Sequence, residues 1–363
     1  MKKSIVFPVI NDLTYDQRMQ RICRSLAKAG YEVTLIGREL PDSKPLIQQD
    51  FQQVRMKLSV NKGKLFYLLY NWKLFWFLLK NDFDIIGSVD VDTLVAAHSV
   101  ATLKGKPLVF DAHEYFSEVP EVAHRPKVKW VWEKVESWIF PKLKYAYTVN
   151  QSLANIFEEK YGAPFEVIHN ATVLEDKDFP EQPKDYILYQ GAINVGRGLE
   201  QIIRAMPYLE TRLVICGKGD VFEDCQNLVK ELNLERKVEF KDFVPPQELK
   251  EITLHAILGL NILAHQGESY YYSLANRFFD YMHSGIPQIC SNFPEYRHFN
   301  DKYNVALLVD DLETETIVNA LKKIIDNDTL RKELHQNCLN ARKELNWQNE
   351  EKKLLKLFQK ISL

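Results

Sequence analysis

Short apolar runs alternate with helical patterns along almost the whole chain, and the series runs through twice. The first series is SIVFPVI (4–10), YEVTLIG (31–37), FDIIGSV (83–89), KPLVFDA (106–112), YAYTVN (145–150) and FEVIHN (165–170). The second is YILYQGA (186–192), RLVICG (212–217), KVEFKDF (237–243), LGLNIL (258–263), PQICS (287–291) and VALLV (305–309). Runs this short and this apolar read as strands buried on both faces. Such strands need helices above and below a parallel sheet. The pattern predicts an α/β chain of two doubly wound, Rossmann-like domains in tandem.

The polar, proline-containing segment NATVLEDKDFPEQPKD (170–185) reads as the linker. A first domain is expected over 1–169, a second over 170–345 and a last helical segment over 346–363. That segment carries a stripe of Leu354, Leu355, Leu357, Phe358 and Ile361, which must be covered. Its return to the first domain is the expected solution. With 363 residues, 46% of them hydrophobic, there is material for two cores.

A net charge of −2 argues against a general nucleic-acid binder. The first half is mildly basic and the second acidic, which suits an anionic partner such as a membrane surface for the first. The five cysteines are scattered, with no metal-like spacing, and point to a reduced, cytoplasmic setting. The opening MKKSIVFPVI has basic residues before an apolar run, but Pro8 interrupts it and no cleavage site follows. It reads as the first buried strand rather than a signal peptide.

In sheets of this kind ligands bind beyond the carboxyl ends of the strands, and two facing sheets would make a cleft. A dinucleotide fingerprint is absent, since CGKGDVF has Phe222 where a third glycine would fall. No P-loop is present either. Four strand ends remain. In FDAHEYFSE, His113 directly follows a strand, where an imidazole can bond a ligand hydroxyl or act as a base oriented by Asp111 or Glu114, or simply cap a helix. In YQGAINVGRGLEQII, Gly191 ends a strand and Arg197 stands between glycines before a helix, an arrangement that suits a phosphate but also an ordinary turn. Lys218, in LVICGKGD, is a phosphate contact or a solvated turn lysine. The fourth end is ESYYYSLANRFFDYMHSGIP (268–287), which predicts a helix over 274–284 capped by Ser273 and ended by Gly285. Tyr272, Asn276 and Asp280 then share one face, with Glu268 in the entering loop.

One segment stands apart. KGKLFYLLYNWKLFWFLLK (62–80) is apolar nearly all round yet short of the roughly 20 residues needed to span a bilayer. It reads as a buried helix, or as an interfacial one flanked by Lys57, Lys62, Lys64 and Lys80, with Trp130, Trp132, Lys127 and Lys129 further on.

Taken in order, these segments resemble the GT-B glycosyltransferases of family 4, retaining enzymes that take sugar from a nucleotide diphosphate. DQRMQRICRSLAKAGYEVTLIG resembles the family's opening helix and second strand, LVFDAHEYFSE its Asp-x-His-Glu segment, and VIHN the end of its first domain. YQGAINVGRGLEQIIRAM resembles its phosphate loop, LVICGKG its next strand end, and LANRFFDYMHSGIPQICSN the branch motif Pro-Asn-Lys-x-Phe-Glu-Tyr-Met-x-x-Gly-x-Pro.

The resemblance implies two domains facing across a cleft, with the acceptor in the first and the donor in the second. It implies that His113 contacts the donor sugar or pyrophosphate, and that Gly191, Arg197 and Lys218 hold the diphosphate. The helix start at Ser273–Leu274 would add backbone donors. Asn276 and Arg277 would line the donor, Arg277 standing where the branch has Lys. Asp280 takes the place of the glutamate expected on the ribose. The family's other glutamate, eight residues earlier, falls on Tyr272, so its role passes to Glu268 or to backbone groups near Tyr271–Ser273. No metal or other cofactor is implied. The expected partners are a UDP- or GDP-sugar and a glycan or lipid-linked acceptor of bacterial cell-envelope polysaccharide synthesis. The expected place is the cytoplasm, at the inner face of the plasma membrane. The altered glutamate spacing keeps open a second reading, a GT-B-shaped protein that binds nucleotide-sugar without turnover.

Overall fold

The computed structural model describes residues 2–176, 178–180 and 186–362. Positions 177 and 181–185 of the expected linker lie outside the described residues, as does Leu363. The chain forms two compact units, Met1–Asn170 with Glu350–Leu363, and Ala171–Asn349.

The first unit is built on a seven-stranded sheet of β1 (Ser4–Pro8), β2 (Glu32–Glu39), β3 (Gln52–Lys57), β4 (Ile85–Val89), β5 (Leu108–Ala112), β6 (Tyr145–Thr148) and β7 (Glu166–Val167). Their order is β3-β2-β1-β4-β5-β6-β7, every pair parallel. The direction of winding reverses between β1 and β4, so loops following β1, β4 and β5 gather at one edge. The edge strand β3 has the sequence QQVRMK, half exposed and without an apolar run, and the sequence pattern does not mark it. Pairing with β2 over six residues, rather than burial, makes it a strand.

The helix Gly63–Lys80 packs Phe66, Tyr70, Leu74 and Leu78 with Ala97 and Val100 over Val6, Ile36 and Ile86. On the other side of β1, Phe358 of the final helix Trp347–Ser362 meets Phe7 at 6.1 Å and Tyr31 at 6.2 Å, ring to ring. Leu354, Leu357 and Phe358 are buried there. Each is worth about 1.5–3 kcal/mol of burial. Glu350 accepts the backbone N–H of His169 at 3.0 Å, and Lys360 pairs with Glu166. The last helix thus completes the core of the first unit.

The second unit has six parallel strands, β8 (Tyr186–Gln190), β9 (Arg212–Cys216), β10 (Val238–Phe240), β11 (Leu258–Asn261), β12 (Gln288–Ser291) and β13 (Ala306–Val309), in the order β10-β9-β8-β11-β12-β13. Ile187, Tyr189, Ile215, Leu260 and Ile289 form its central core with Ile202, Ile203 and Leu321. Here the winding reverses between β8 and β11.

Candidate active site

In the second unit the strand ends meet backbone to backbone. Gly191 leaves β8 and its N–H bonds the carbonyl of Cys216 at 3.0 Å. Gly217 leaves β9 at φ 153°, and a Cβ there would stand 1.9 Å from the Gly191 oxygen. No other residue fits that contact. Beside this floor lies Arg277, only 6% exposed. Its Nε donates to Asn261 Oδ1 at 2.9 Å and its Nη1 to the Gln190 carbonyl at 3.1 Å, while the guanidinium covers the Tyr189 ring at 4.6 Å. The same Nη1 lies 3.2 Å from where a Gly191 side chain would begin. Its Nη2 has no partner, and among the described residues no carboxylate pairs with it. A buried cation without counter-charge is costly unless a ligand supplies one.

Arg197 is half-buried, stacked over the Tyr270 ring at 4.6 Å, its Nε likewise unpartnered. Lys218 is 63% exposed and sits 3.5 Å from an equally exposed Asp242, a surface pair of little energy. Asp280 accepts Thr172 Oγ1 at 2.7 Å and Gln190 Nε2 at 3.1 Å, and Thr253 holds the other end of Gln190. The carboxylate is therefore oriented from two sides.

The helix of this segment corrects the sequence expectation. It spans Asn276–His283, not 274–284, after a separate turn Glu268–Tyr271. Ser273 does not cap it: its hydroxyl donates back to the Tyr270 carbonyl at 2.8 Å, closing the earlier turn. The N–H of Ala275 goes instead to Tyr296 Oη at 3.1 Å. The new N-cap, Ala275, offers no side-chain acceptor. Leu274 is buried among Phe278 and Phe279. Gly285 ends the segment at φ 67°, as expected.

The three tyrosines do different work. Tyr270 is buried and supports Arg197. Tyr271 stacks on His265 at 4.4 Å and meets Phe293 at 5.0 Å, with Tyr272 against its edge. Glu268 is 47% exposed, 3.9 Å from His265 Nε2.

In the first unit His113 follows β5. Its Nε2 lies 2.9 Å from Asp111 Oδ2, and its backbone N–H donates to Asp90 Oδ1 at 2.8 Å. Asp111 is fully buried and bound through both oxygens by Arg18, at 2.8 and 3.2 Å. Burial alone would push the imidazole down, but Asp111 and Asp90 outweigh it and raise His113 to about 9. Burial likewise opposes the Asp111 charge, yet Arg18 and His113 hold it at about 2. At neutral pH the ring is an imidazolium, a donor rather than a base. Glu114 is exposed, so Asp111 with Asp90 orients the ring. Asp90, in a left-handed conformation at φ 54° just beyond β4, and Arg18 went unmarked in the sequence. The VDVD run holds the only hint, a carboxylate at a strand end.

Two family models cover most of the chain: Glycosyltransferase Family 4 matches residues 17–176, and Glycosyl transferases group 1 matches residues 173–341. The chain belongs to the family 4 glycosyltransferases. As a member it is a sugar-transferring enzyme of the GT-B fold. A curated relative, the uncharacterized glycosyltransferase MJ1069 of Methanocaldococcus jannaschii, is 24% identical over 80% of this chain and 78% of that protein. Sucrose-phosphate synthase of Thermosynechococcus elongatus superposes with a TM-score of 0.83 at 16% identity, over 99% of both chains. Anabaena HepE in complex with UDP-glucose superposes at 0.77 with 13% identity, over 98% of this chain and 99% of that one. At these identities the two structures speak for the fold.

Proposed function

We propose that this glycosyltransferase is a retaining enzyme that moves a sugar from a nucleotide diphosphate, UDP or GDP, to a glycan or lipid-linked acceptor. One observation carries the donor class: the buried, uncompensated guanidinium of Arg277 beside Gly191. A diphosphate supplies the missing charge, and the charge grows as the nucleoside diphosphate departs, so the interaction strengthens along the reaction. Arg197, the side-chain-free start of the helix Asn276–His283 and Lys218, swung from its weak pair with Asp242, add to it. Asp280, steadied by Thr172 and Gln190, is assigned to the ribose hydroxyls. His113, held as imidazolium, is assigned as donor to a sugar hydroxyl or a phosphate oxygen of the reacting pair. Glu268 or the backbone around Tyr272 and Ser273 is assigned to the sugar.

Cationic side chains do the neutralising in this proposal, in place of a metal. The UDP-glucose complex of Anabaena HepE supports a UDP-sugar as the first donor to try. The five buried, unpaired cysteines fit a cytoplasmic setting, and cell-envelope polysaccharide synthesis is the process we propose.

The test is to screen nucleoside diphosphates by thermal shift and the matching nucleotide-sugars for hydrolysis or transfer. A saturating diphosphate, at about 100 times its Kd, stabilises by about 2.7 kcal/mol. The expected result is a rise with one diphosphate, turnover of its sugar, and loss of both in Arg197→Ala. Binding without turnover on any acceptor favours the binding-protein reading, which rests on Tyr272 standing where a glutamate is expected. Unchanged turnover in Arg197→Ala overturns the phosphate assignment.

A further inference from the structure

The outer face of the first unit carries a feature that sugar transfer does not use. Along the helix Gly63–Lys80, the row opposite the buried one, Leu65, Leu68, Trp72 and Trp76, is 41 to 67% exposed. The helix Pro126–Ile139 adds Trp130, Val131 and Trp138, 48 to 60% exposed. Tyr67 of the one meets Trp132 of the other edge to face at 5.6 Å, so the two helices are neighbours. Single exposed apolar residues are ordinary, but four exposed tryptophans on two neighbouring helices are not.

The charge along these two helices is mostly basic. Between Phe51 and Asn81 the chain carries five lysines and no carboxylate, while Arg55 in the same stretch is tied to Asp12 at 2.6 Å. On the second helix, Lys134 lies over the Trp130 ring at 5.8 Å, and Lys142 just beyond it lies over Trp138 at 4.8 Å. That helix has two carboxylates: Glu136 is buried under Ser117 and Tyr161, and Glu133 lies 3.7 Å from Lys160. Among the described residues no helix is long and apolar enough to cross a membrane.

We propose that this face docks on the surface of an anionic phospholipid bilayer. Trp72, Trp76, Trp130 and Trp138 sit at headgroup level, where an indole keeps one edge wet and the other dry, and the lysines meet the phosphates. Protein partners select Arg and reject Lys at the centre of an interface. Within these two helices every basic residue is Lys; Lys134 lies over an indole, while Lys129 pairs with Glu118 and Lys73 donates to the Lys57 carbonyl. The chemistry therefore favours lipid over a second protein. It also stands apart from the transfer reaction, because it needs neither donor nor turnover.

The experiment is co-sedimentation of the full chain with phosphatidylcholine vesicles, with and without phosphatidylglycerol, together with the tryptophan emission wavelength. The expected result is binding only with phosphatidylglycerol, weakened by salt, with a blue shift on binding. Lys64→Gln with Lys73→Gln should weaken partitioning about 25-fold, at about fivefold per lysine. Trp72→Ser with Trp130→Ser should weaken it at least about tenfold while leaving the melting temperature in place. Three outcomes overturn the proposal. They are wild type that stays in the supernatant at low salt, variants that sediment as wild type does, and self-association abolished by the tryptophan pair, which would make a second copy the occupant.

Discussion

Arg277 holds a buried formal charge that no carboxylate among the described residues balances. Its Nε and Nη1 are satisfied by Asn261 and the Gln190 carbonyl, but Nη2 has no partner. Replacing it with Met keeps much of the volume and removes the costly buried charge, which offsets the loss of its bonds to Asn261 and the Gln190 carbonyl. We expect Arg277→Met to melt at or above the wild-type temperature and to lose the shift given by a nucleoside diphosphate. A variant that melts lower and still responds to the nucleotide would show that the guanidinium serves only the fold. His113 gives the second residue-scale test. Its folded pKa of about 9 is above the ordinary imidazole value, so its contribution is complete below about pH 6.5 and disappears as pH rises through about 9. Asp111 runs the other way, its contribution present above the ordinary carboxylate range and lost as pH falls towards about 2. The melting temperature of wild type should therefore fall between pH 7 and 9 more steeply than that of His113→Gln. Asp111→Asn should cost about 3–5 kcal/mol, since Arg18 is left buried without its carboxylate.

At the scale of elements, the loops after β8 and β9 are locked by the close approach of Gly217 to Gly191. Gly217→Ala should push them apart and weaken diphosphate binding at least about tenfold, measured by titration, with a smaller effect on melting. The strands that carry these loops were legible because parallel strands buried on both faces leave apolar runs with nothing else to explain them. The edge strand β3 was not, because QQVRMK is a strand by pairing rather than by burial. The start of the helix Asn276–His283 was misplaced by two residues for a similar reason. Ser273 is a good cap in isolation, but Tyr270 and Tyr296, distant or hidden in the pattern, take the groups a cap would use. The site residues divide the same way. Arg197 could be found just before a helix start and Asp280 by its four-residue spacing from Tyr272 and Asn276, whereas Arg18 and Asp90 act through partners far along the chain, at a separation no local pattern records. The helix Gly63–Lys80 was open to two readings, buried or interfacial, and the structure buries one row and leaves the other bare.

At the scale of the whole molecule, the two sheets are closed by different parts of the chain. The second is continuous, from Ala171 to Asn349, while the first needs Glu350–Leu363 as well. Phe358→Ala should remove about 3–5 kcal/mol from the first unit and lower its unfolding transition, while the nucleotide-dependent shift of the second persists. The last helix also sets a timetable. During synthesis Phe7 emerges early, but the ring that covers it, Phe358, is added only after the whole second unit has been made. At bacterial or eukaryotic elongation rates that interval is roughly 20 to 70 s. For that time the nascent first unit presents an open apolar seam along β1, a binding surface for chaperones that closes when the C-terminal helix leaves the ribosome.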